Sequence, residues 1–445
     1  MKSILLLGAG LSSSSLIRYL LNEATTFNWF LKVVDQNRAL VLQKLNNHPR
    51  GEALSFDALD AKARRSNIQE ADIVISMLPA RFHPEVAKDC IELKTHLITP
   101  SYVSPEMKAL ADEAIGAGVI IMNEIGVDPG IDHMSAMQII HKIQDLGAEM
   151  LSFKSFCGGL IAPESDNNPW HYKFTWSPRN VVLAGQGGAA AFTQNNDFKY
   201  IPYVQLFKRT ERFIIGNHGE FEGYANRDSF AYKKAYGLST IPTIYRGTLR
   251  RPNFCEGWNV FIELGMTDDT YIVSESHKMS PRKFINSFLP YHQSRSVEDK
   301  FFDFLGSERK HLFPQFEWLG FFDDVLIIGK DKATPAQILE NLLVGKLSLS
   351  PEDKDMLVMH HEFEYSLNGK KKQVISSMIC LGEDQTYTAM SNTVGLPVGI
   401  MTKLILNGAY DKPGISIPID KDVYEPILKE LQSFDISFHE IENDL

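Results

Sequence analysis

The stretch NEIGVDPGIDHMSA, residues 123–136, sets three acids, a proline and two glycines between an apolar strand-like run and an amphipathic helix-like run. Asp128 in this junction has two readings. As a helix N-cap it is followed by Pro129 at the first helical position and by Ile131, Met134, Met137 and Ile140 at helical spacing. As an ionisable group it stands where a ligand could meet it. Other residue types add chemistry downstream. Cys157 precedes two glycines in SFCGGL, either where backbone approaches a ligand or as a buried thiol at a strand end. Arg227 in YANRDS offers a fork that clamps a carboxylate, or an ordinary surface ion pair. YRGTLRRP places Arg246, Thr248 and Arg250, two cations and a hydroxyl, around one turn. Together these suit a small substrate bearing several carboxylates. His133 and His171 are acid–base types, but His133 beside Met134 at the start of an apolar helix pattern reads as a satisfied structural histidine. Neither histidine has a Glu or Cys at ligand spacing, so no metal is expected.

Something must hold those groups. Over the first 125 residues the runs SILLLG, FLKVVD, EALSFD, ADIVISMLP, THLITP and VIIMNE alternate with helical patterns, which predicts an α/β fold with a doubly wound parallel sheet. Directly after the first run comes Gly8-Ala9-Gly10-Leu11-Ser12-Ser13, a dinucleotide fingerprint with Ser13 in the third glycine's place. Gly8 permits the tight turn, Gly10 lets backbone approach a pyrophosphate, and the following helix N-terminus offers amides to it. Asp35 ends the second run where an acid bonds the adenosine ribose, which favours NAD over NADP; its other reading is a turn aspartate, and Arg38 leaves room for NADP. Asp57, Leu78, Pro100, Ser101, Tyr102 and the junction from Asn123 to Asp128 all follow strand ends, so they should share one rim with Gly8 and Gly10. Asp128 can then cap a helix and still lie beside the nicotinamide.

The remaining sequence supplies domains and exclusions. A chain of 445 residues calls for two or three domains. We expect a Rossmann domain over 1–128, completed by a C-terminal helix at about 391–412 in TVGLPVGIMTKLILNGAY. An α+β domain for substrate and dimerisation is expected over 129–276 and 361–390. Helical patterns, among them SPEDKDMLVMHHEF, predict a small helical insertion over 277–360. A net charge of −10 argues against a nucleic-acid or anionic-membrane surface. Four scattered cysteines without CxxC spacing suggest neither disulfides nor zinc and fit a cytoplasmic setting, and no run is long enough to span a membrane.

SYVSPEM, VDPGIDH, CGGLIAPESDNNPWHYKFTWSPR, NRDS, YRGTLR and TVGLPVGI, in this order along nearly the whole chain, resemble the saccharopine dehydrogenase family, specifically its glutamate-forming branch. The resemblance implies a homodimeric enzyme that interconverts saccharopine with glutamate and 2-aminoadipate 6-semialdehyde. It implies cofactor contacts from Gly8, Ala9, Gly10, Leu11, Ser12, Asp35, Asp57, Leu78, Ser101, Val127, Asp128, Pro129 and Ser177. Substrate contacts are implied for Ser101, Tyr102, Asp128, Arg227, Thr248, Leu249 and Arg250. Hydride transfer gives an imine that water must attack, so the site needs carboxylate clamps and a proton acceptor. Arg227 and Arg250 are the expected clamps, and Asp128, Tyr102 and Cys157 the groups for proton transfer. Fungal reductases of this branch resemble NADP enzymes with a basic residue after strand two. Asp35 here points instead to NAD and to saccharopine oxidation. Two alternatives are a carboxynorspermidine-type dehydrogenase, which the arginine-rich YRGTLRRP disfavours, and a non-catalytic nucleotide-sensing Rossmann protein.

Overall fold

Six apolar runs form β1 (Lys2–Leu7), β2 (Trp29–Val34), β3 (Gly51–Leu54), β4 (Ile73–Ser76), β5 (His96–Ile98) and β6 (Ile120–Met122) in the computed structural model, which describes residues 1–325 and 331–445. All pair in parallel, in the order β6-β5-β4-β1-β2-β3. A seventh strand, Gly414–Ser416, joins the edge beside β6. Its three residues are too few to carry a periodic signal. Ile4, Leu5, Leu6 and Leu7 are fully buried, because a parallel sheet is covered on both faces, and this is why β1 reads as a continuous apolar run. The strand order reverses between β1 and β4, and ligands of such sheets bind beyond the strand ends at that reversal.

The chain divides into two units, residues 1–150 with 364–445, and residues 151–363. The first therefore runs past residue 128. Its helix Ile131–Asp145 packs on the helix Lys421–Leu431, with His141 Nδ1 2.8 Å from the Tyr424 hydroxyl and Lys421 paired to Asp145 at 2.9 Å. The C-terminal helix spans Ala389–Leu406 and packs along α1 (Ser14–Thr26). Ser15 donates its amide to Ser391 Oγ at 3.0 Å and its hydroxyl to Asn392 Oδ1 at 2.6 Å. The two backbones are close: a Cβ on Gly395 would lie 2.8 Å from the Leu16 nitrogen, and one on Gly399 2.5 Å from Tyr19 Cδ1. By length and composition this helix is apolar enough to cross a membrane, but it is a core helix of this unit. An antiparallel pair, Lys370–Leu381 with His439–Asp444, also belongs to the unit.

The second unit is built on β7 (Glu149–Ile161), β8 (Ala190–Gln194), β9 (Asp197–Ile201), β10 (Thr210–Ile214), β11 (Glu220–Ala225), β12 (Thr243–Arg250) and β13 (Asp355–Leu367). Their order is β10-β11-β12-β7-β13, with β8 on β12 and β9 on β8. Beside the sheet lies an aromatic core: Trp170 stacks on Phe261 at 5.5 Å and meets Trp258 and Phe316 edge-on. Helices Pro281–Asn286, Val297–Arg309, Phe313–Trp318 and Pro335–Leu347 fall in the segment expected to be helical. Residues 326–330 of that segment lie outside the described residues. SPEDKDMLVMHHEF was expected to be helical too, and from Asp355 onward it is instead the start of β13. Asp355 to His361 are all buried, so the alternation that marks a strand with one solvated face is absent from the sequence.

Candidate active site

The Gly-rich loop follows from the end of β1. Gly8 has φ of 101°, and a Cβ there would lie 3.1 Å from the Met77 carbonyl oxygen, so both the conformation and the space require glycine. Ser13 fits the third glycine's place because its buried hydroxyl turns back to donate to the Gly10 carbonyl at 2.8 Å. Gly10 precedes the helical turn Leu11–Ser13 and α1, and no side chain caps that start. A Cβ on Gly10 would meet nothing within 4 Å, and Leu11 is exposed. An open, uncapped helix start at a strand end is what a dinucleotide pyrophosphate needs, so the residues fit a dinucleotide. Ala9 donates its amide to Asp35 Oδ2 at 2.9 Å, and Asn37 donates to Oδ1 at 2.9 Å, so Asp35 braces the loop from the end of β2. Asp57 is exposed in a turn, with Oδ1 accepting the Leu59 amide at 2.9 Å, and Leu78 is half-buried just after β4.

Two groups that sequence patterns did not single out fasten the next rim segment. His83, buried, places Nδ1 2.9 Å from Ser76 Oγ and Nε2 2.8 Å from Ser101 Oγ and 2.9 Å from Thr99 Oγ1. Burial pulls its pKa down to about 4, so the ring is neutral at pH 7 and orients hydroxyls rather than moving protons. Glu124, also buried, accepts the Val103 amide at 2.9 Å through Oε1 and meets His133 Nε2 at 2.9 Å through Oε2. His133 is thus the buried, partnered histidine that its apolar neighbours suggested. Nothing in residue spacing marks His83; Glu124 lay within the acidic junction itself.

Between those anchors the Tyr102 hydroxyl donates to Asp128 Oδ1 at 2.8 Å. Asp128 is not a helix cap. The helix begins at Ile131 behind Gly130, whose φ is 147° and whose amide donates to Asp132 Oδ1 at 2.6 Å. Residues 126–130 first close a turn, with Gly126 donating to the Pro129 carbonyl at 2.9 Å and Asp132 to that of Val127 at 3.0 Å. That turn delays the helix by two residues and moves Pro129 out of the first helical position. It leaves the Asp128 carboxylate half-buried with a phenol as its partner, an arrangement suited to proton transfer or to pairing with an ammonium.

In the second unit Thr248 pairs in register with Cys157 of β7 and with Tyr224 of β11, and Arg250 with Glu222. Side chains alternate along a strand, so Thr248, Arg250, Cys157 and Tyr224 share one face. Leu249 turns to the other, where it is fully buried; its carbonyl accepts from Arg250 Nη1 at 2.8 Å. The segment Arg246 to Arg250 is strand rather than the single turn expected, because β11 and β7 supply ladders on both sides. Arg250 is 4% exposed, and no carboxylate lies within ion-pairing distance of it among the described residues. Its guanidinium faces the rings of Tyr172 at 5.2 Å, Phe254 at 5.2 Å and Tyr224 at 5.9 Å, while Nε has no hydrogen-bond partner. Cys157 is buried within electrostatic reach of Arg250. Arg227 is exposed in the left-handed conformation just beyond β11, its carbonyl pinned by the Ala191 amide at 2.9 Å. It stands five residues along from the partner of Arg250, roughly 16 Å at ~3.3 Å per residue, so the two arginines cannot grip one carboxylate. Ser177 starts the helix Pro178–Val182 and accepts the Asn180 amide at 3.4 Å.

A cavity of about 710 Å³ in this unit is lined by Glu222, Cys255, Asn259, Glu263 and Arg309 among others, and by none of the expected substrate residues. Its Lys208 and Arg309 are both paired with Glu263. Among the described residues no cluster of His, Cys, Asp and Glu is arranged to hold a metal ion.

Comparison with known proteins covers both units. Residues 4–122 match the saccharopine dehydrogenase NADP binding domain and residues 126–436 the saccharopine dehydrogenase C-terminal domain. The chain is 33% identical over 442 residues to the NADP(+), L-glutamate-forming saccharopine dehydrogenase of Saccharomyces cerevisiae, covering 97% of each. To the Schizosaccharomyces pombe protein of that name it is 33% identical over 454 residues, 99% of each. It is also 34% identical over 382 residues to the mitochondrial alpha-aminoadipic semialdehyde synthase of Rattus norvegicus, covering 84% of this chain and 41% of that protein. The solved structure of apo histidine-tagged saccharopine dehydrogenase (L-Glu forming) from Saccharomyces cerevisiae superposes with a TM-score of 0.90 and 30% identity over 100% of both chains.

Proposed function

The chain belongs to the saccharopine dehydrogenase family, and from that premise and the two sets of residues described above we infer that it interconverts saccharopine with glutamate and 2-aminoadipate 6-semialdehyde, using NAD(P). The observation that carries the substrate side is Arg250. A guanidinium buried without a carboxylate is costly unless a ligand brings one, and the aromatic rings around it offset only part of that cost. Saccharopine carries three carboxylates. Arg250 takes one in a charge-assisted pair, and exposed Arg227, roughly five strand residues away, takes another.

When bound, NAD(P) would supply the hydride acceptor; removal of hydride from the carbon on the 2-aminoadipate side of the secondary amine leaves an imine that water opens to the semialdehyde and glutamate. Asp128 holds the substrate's ammonium and takes its proton, with the Tyr102 phenol fixing the carboxylate at 2.8 Å. Ser101, held by neutral His83, orients the groups next to the nicotinamide. Asp35 favours NAD by bracing the loop with a negative charge. Cys157, buried beside the Arg250 face, contributes shape more than protons. The scattered cysteine pattern without CxxC spacing supports a cytoplasmic setting, and we assign a homodimer on the family's account. Initial rates of NAD and NADP reduction with saccharopine and, in parallel, with carboxynorspermidine test the reading. Turnover of saccharopine alone is expected; turnover of carboxynorspermidine alone would transfer the site to a polyamine substrate.

A further inference from the structure

Lys44 sits in the last turn of α2 (Arg38–Leu45), half-buried, and reaches the Gly-rich loop. Its ammonium donates to the Gly10 carbonyl at 2.5 Å and to Ser13 Oγ at 3.2 Å. Both partners are neutral, and among the described residues no carboxylate lies within ion-pairing distance of it. Burial pulls the Lys44 pKa down to about 8 against the opposing pull of Asp35, so at pH 7 it is still a cation. Asp35 braces the same loop through Ala9, within electrostatic reach of Lys44. The loop therefore carries one negative and one positive group, and only the negative one follows strand two where sequence motifs are read.

A carboxylate alone at this place repels a 2′-phosphate. An ammonium on the adjoining residues of the loop offsets that repulsion and gives the phosphate a donor. We propose that Lys44 is a specificity-determining residue that lets the loop bind a 2′-phosphorylated adenosine nucleotide beside Asp35, so that NADP is accepted as well as NAD. The proposal rests on the dinucleotide reading of this unit and not on the identity of the substrate. The rival role for Lys44 is mechanical, tying α2 to the loop whatever nucleotide binds.

Calorimetric titration of the full chain with adenosine 2′,5′-bisphosphate and with adenosine 5′-monophosphate separates the two. Lys44→Met should weaken the bisphosphate about tenfold or more, as loss of a charge-assisted contact does, and leave the monophosphate within about twofold. Lys44→Arg should keep bisphosphate binding within about threefold of wild type. Equal weakening of both nucleotides by Lys44→Met, or of neither, overturns the proposal. If neither nucleotide binds the wild type, the dinucleotide reading falls and this inference with it, whereas failure to oxidise saccharopine leaves the titration unaffected.

Discussion

Replacing Arg250 with methionine should separate stability from activity in opposite directions. Methionine fills much of the arginine's volume and suits the rings of Tyr172, Tyr224 and Phe254. It removes a cation that is 4% exposed and, among the described residues, has no carboxylate partner. The three rings return about 0.5–2 kcal/mol each at best to the cation, against a desolvation penalty of several kcal/mol. Arg250→Met should therefore lie between about 1 kcal/mol less stable and a few kcal/mol more stable than wild type. Saccharopine loses its partner at the same time. Two charge-assisted hydrogen bonds at about 1.5 kcal/mol each sum to about 3 kcal/mol, on the order of a hundredfold in affinity. The effect should fall mainly on the KM for saccharopine, with a smaller change in kcat, since the carboxylate is held before and after hydride transfer. The assays are thermal unfolding with and without saccharopine, and initial rates. Wild type should gain stability from saccharopine and the variant should not. A variant that unfolds several kcal/mol more easily yet keeps its KM would show that Arg250 serves the fold, and the substrate argument would fail.

Three further perturbations probe the first unit. Asp128→Asn keeps an oxygen to accept the Tyr102 hydroxyl, so unfolding should change by less than about 1 kcal/mol while kcat/KM falls about 10²-fold or more; near-normal turnover would remove Asp128 from the chemistry. Neutral His83, with a pKa of about 4 in the fold against 6.5 outside it, binds fewer protons folded than unfolded, so its contribution is complete above pH 6.5 and is lost as pH falls toward 4, on the order of 3 kcal/mol. In urea titrations at pH 7, 5.5 and 4.5, His83→Gln should show a shallower acid loss than wild type, and parallel losses would contradict the buried neutral ring. Gly395→Ala, whose Cβ would press the Leu16 nitrogen of α1 from 2.8 Å, should cost about 1–3 kcal/mol in spite of the better helix propensity and should weaken dinucleotide binding; unchanged stability and affinity would mean that α1 can yield there.

Much of the first sheet is legible because its strands are fully buried apolar runs with short, regular connections, and β1 hands directly to Gly8. The seventh strand, Gly414–Ser416, is not, since three residues carry no period and their place is set by β6. β13 was hidden for the opposite reason: with both faces covered, Met356 to Met359 could equally line a helix. Of the residues proposed for the site, Tyr102 and Asp128 follow strand ends as local sequence suggested, whereas Arg250 lies in a strand where YRGTLRRP was read as a turn. The cap assigned to Asp128 failed because the Gly126 to Gly130 turn, a matter of backbone closure, takes up the residues that a helix start would use. His83, Glu124 and Lys44 act through partners 7 to 34 positions away, and no spacing rule links them. Leu249 was carried along by its neighbours, and only the alternation of the strand turns its side chain from the face that holds Arg250.

Glutamate formation depends on which carbon–nitrogen bond of saccharopine is broken. Saccharopine should be turned over to completion with excess NAD or NADP, and glutamate, lysine and reduced dinucleotide quantified in the same sample. One glutamate for each dinucleotide reduced, with no lysine, is the result that hydride removal from the carbon of the semialdehyde side requires. Lysine and 2-oxoglutarate in place of glutamate would mean that the other carbon is oxidised, and no turnover with either dinucleotide would mean that this protein does not perform the reaction at all.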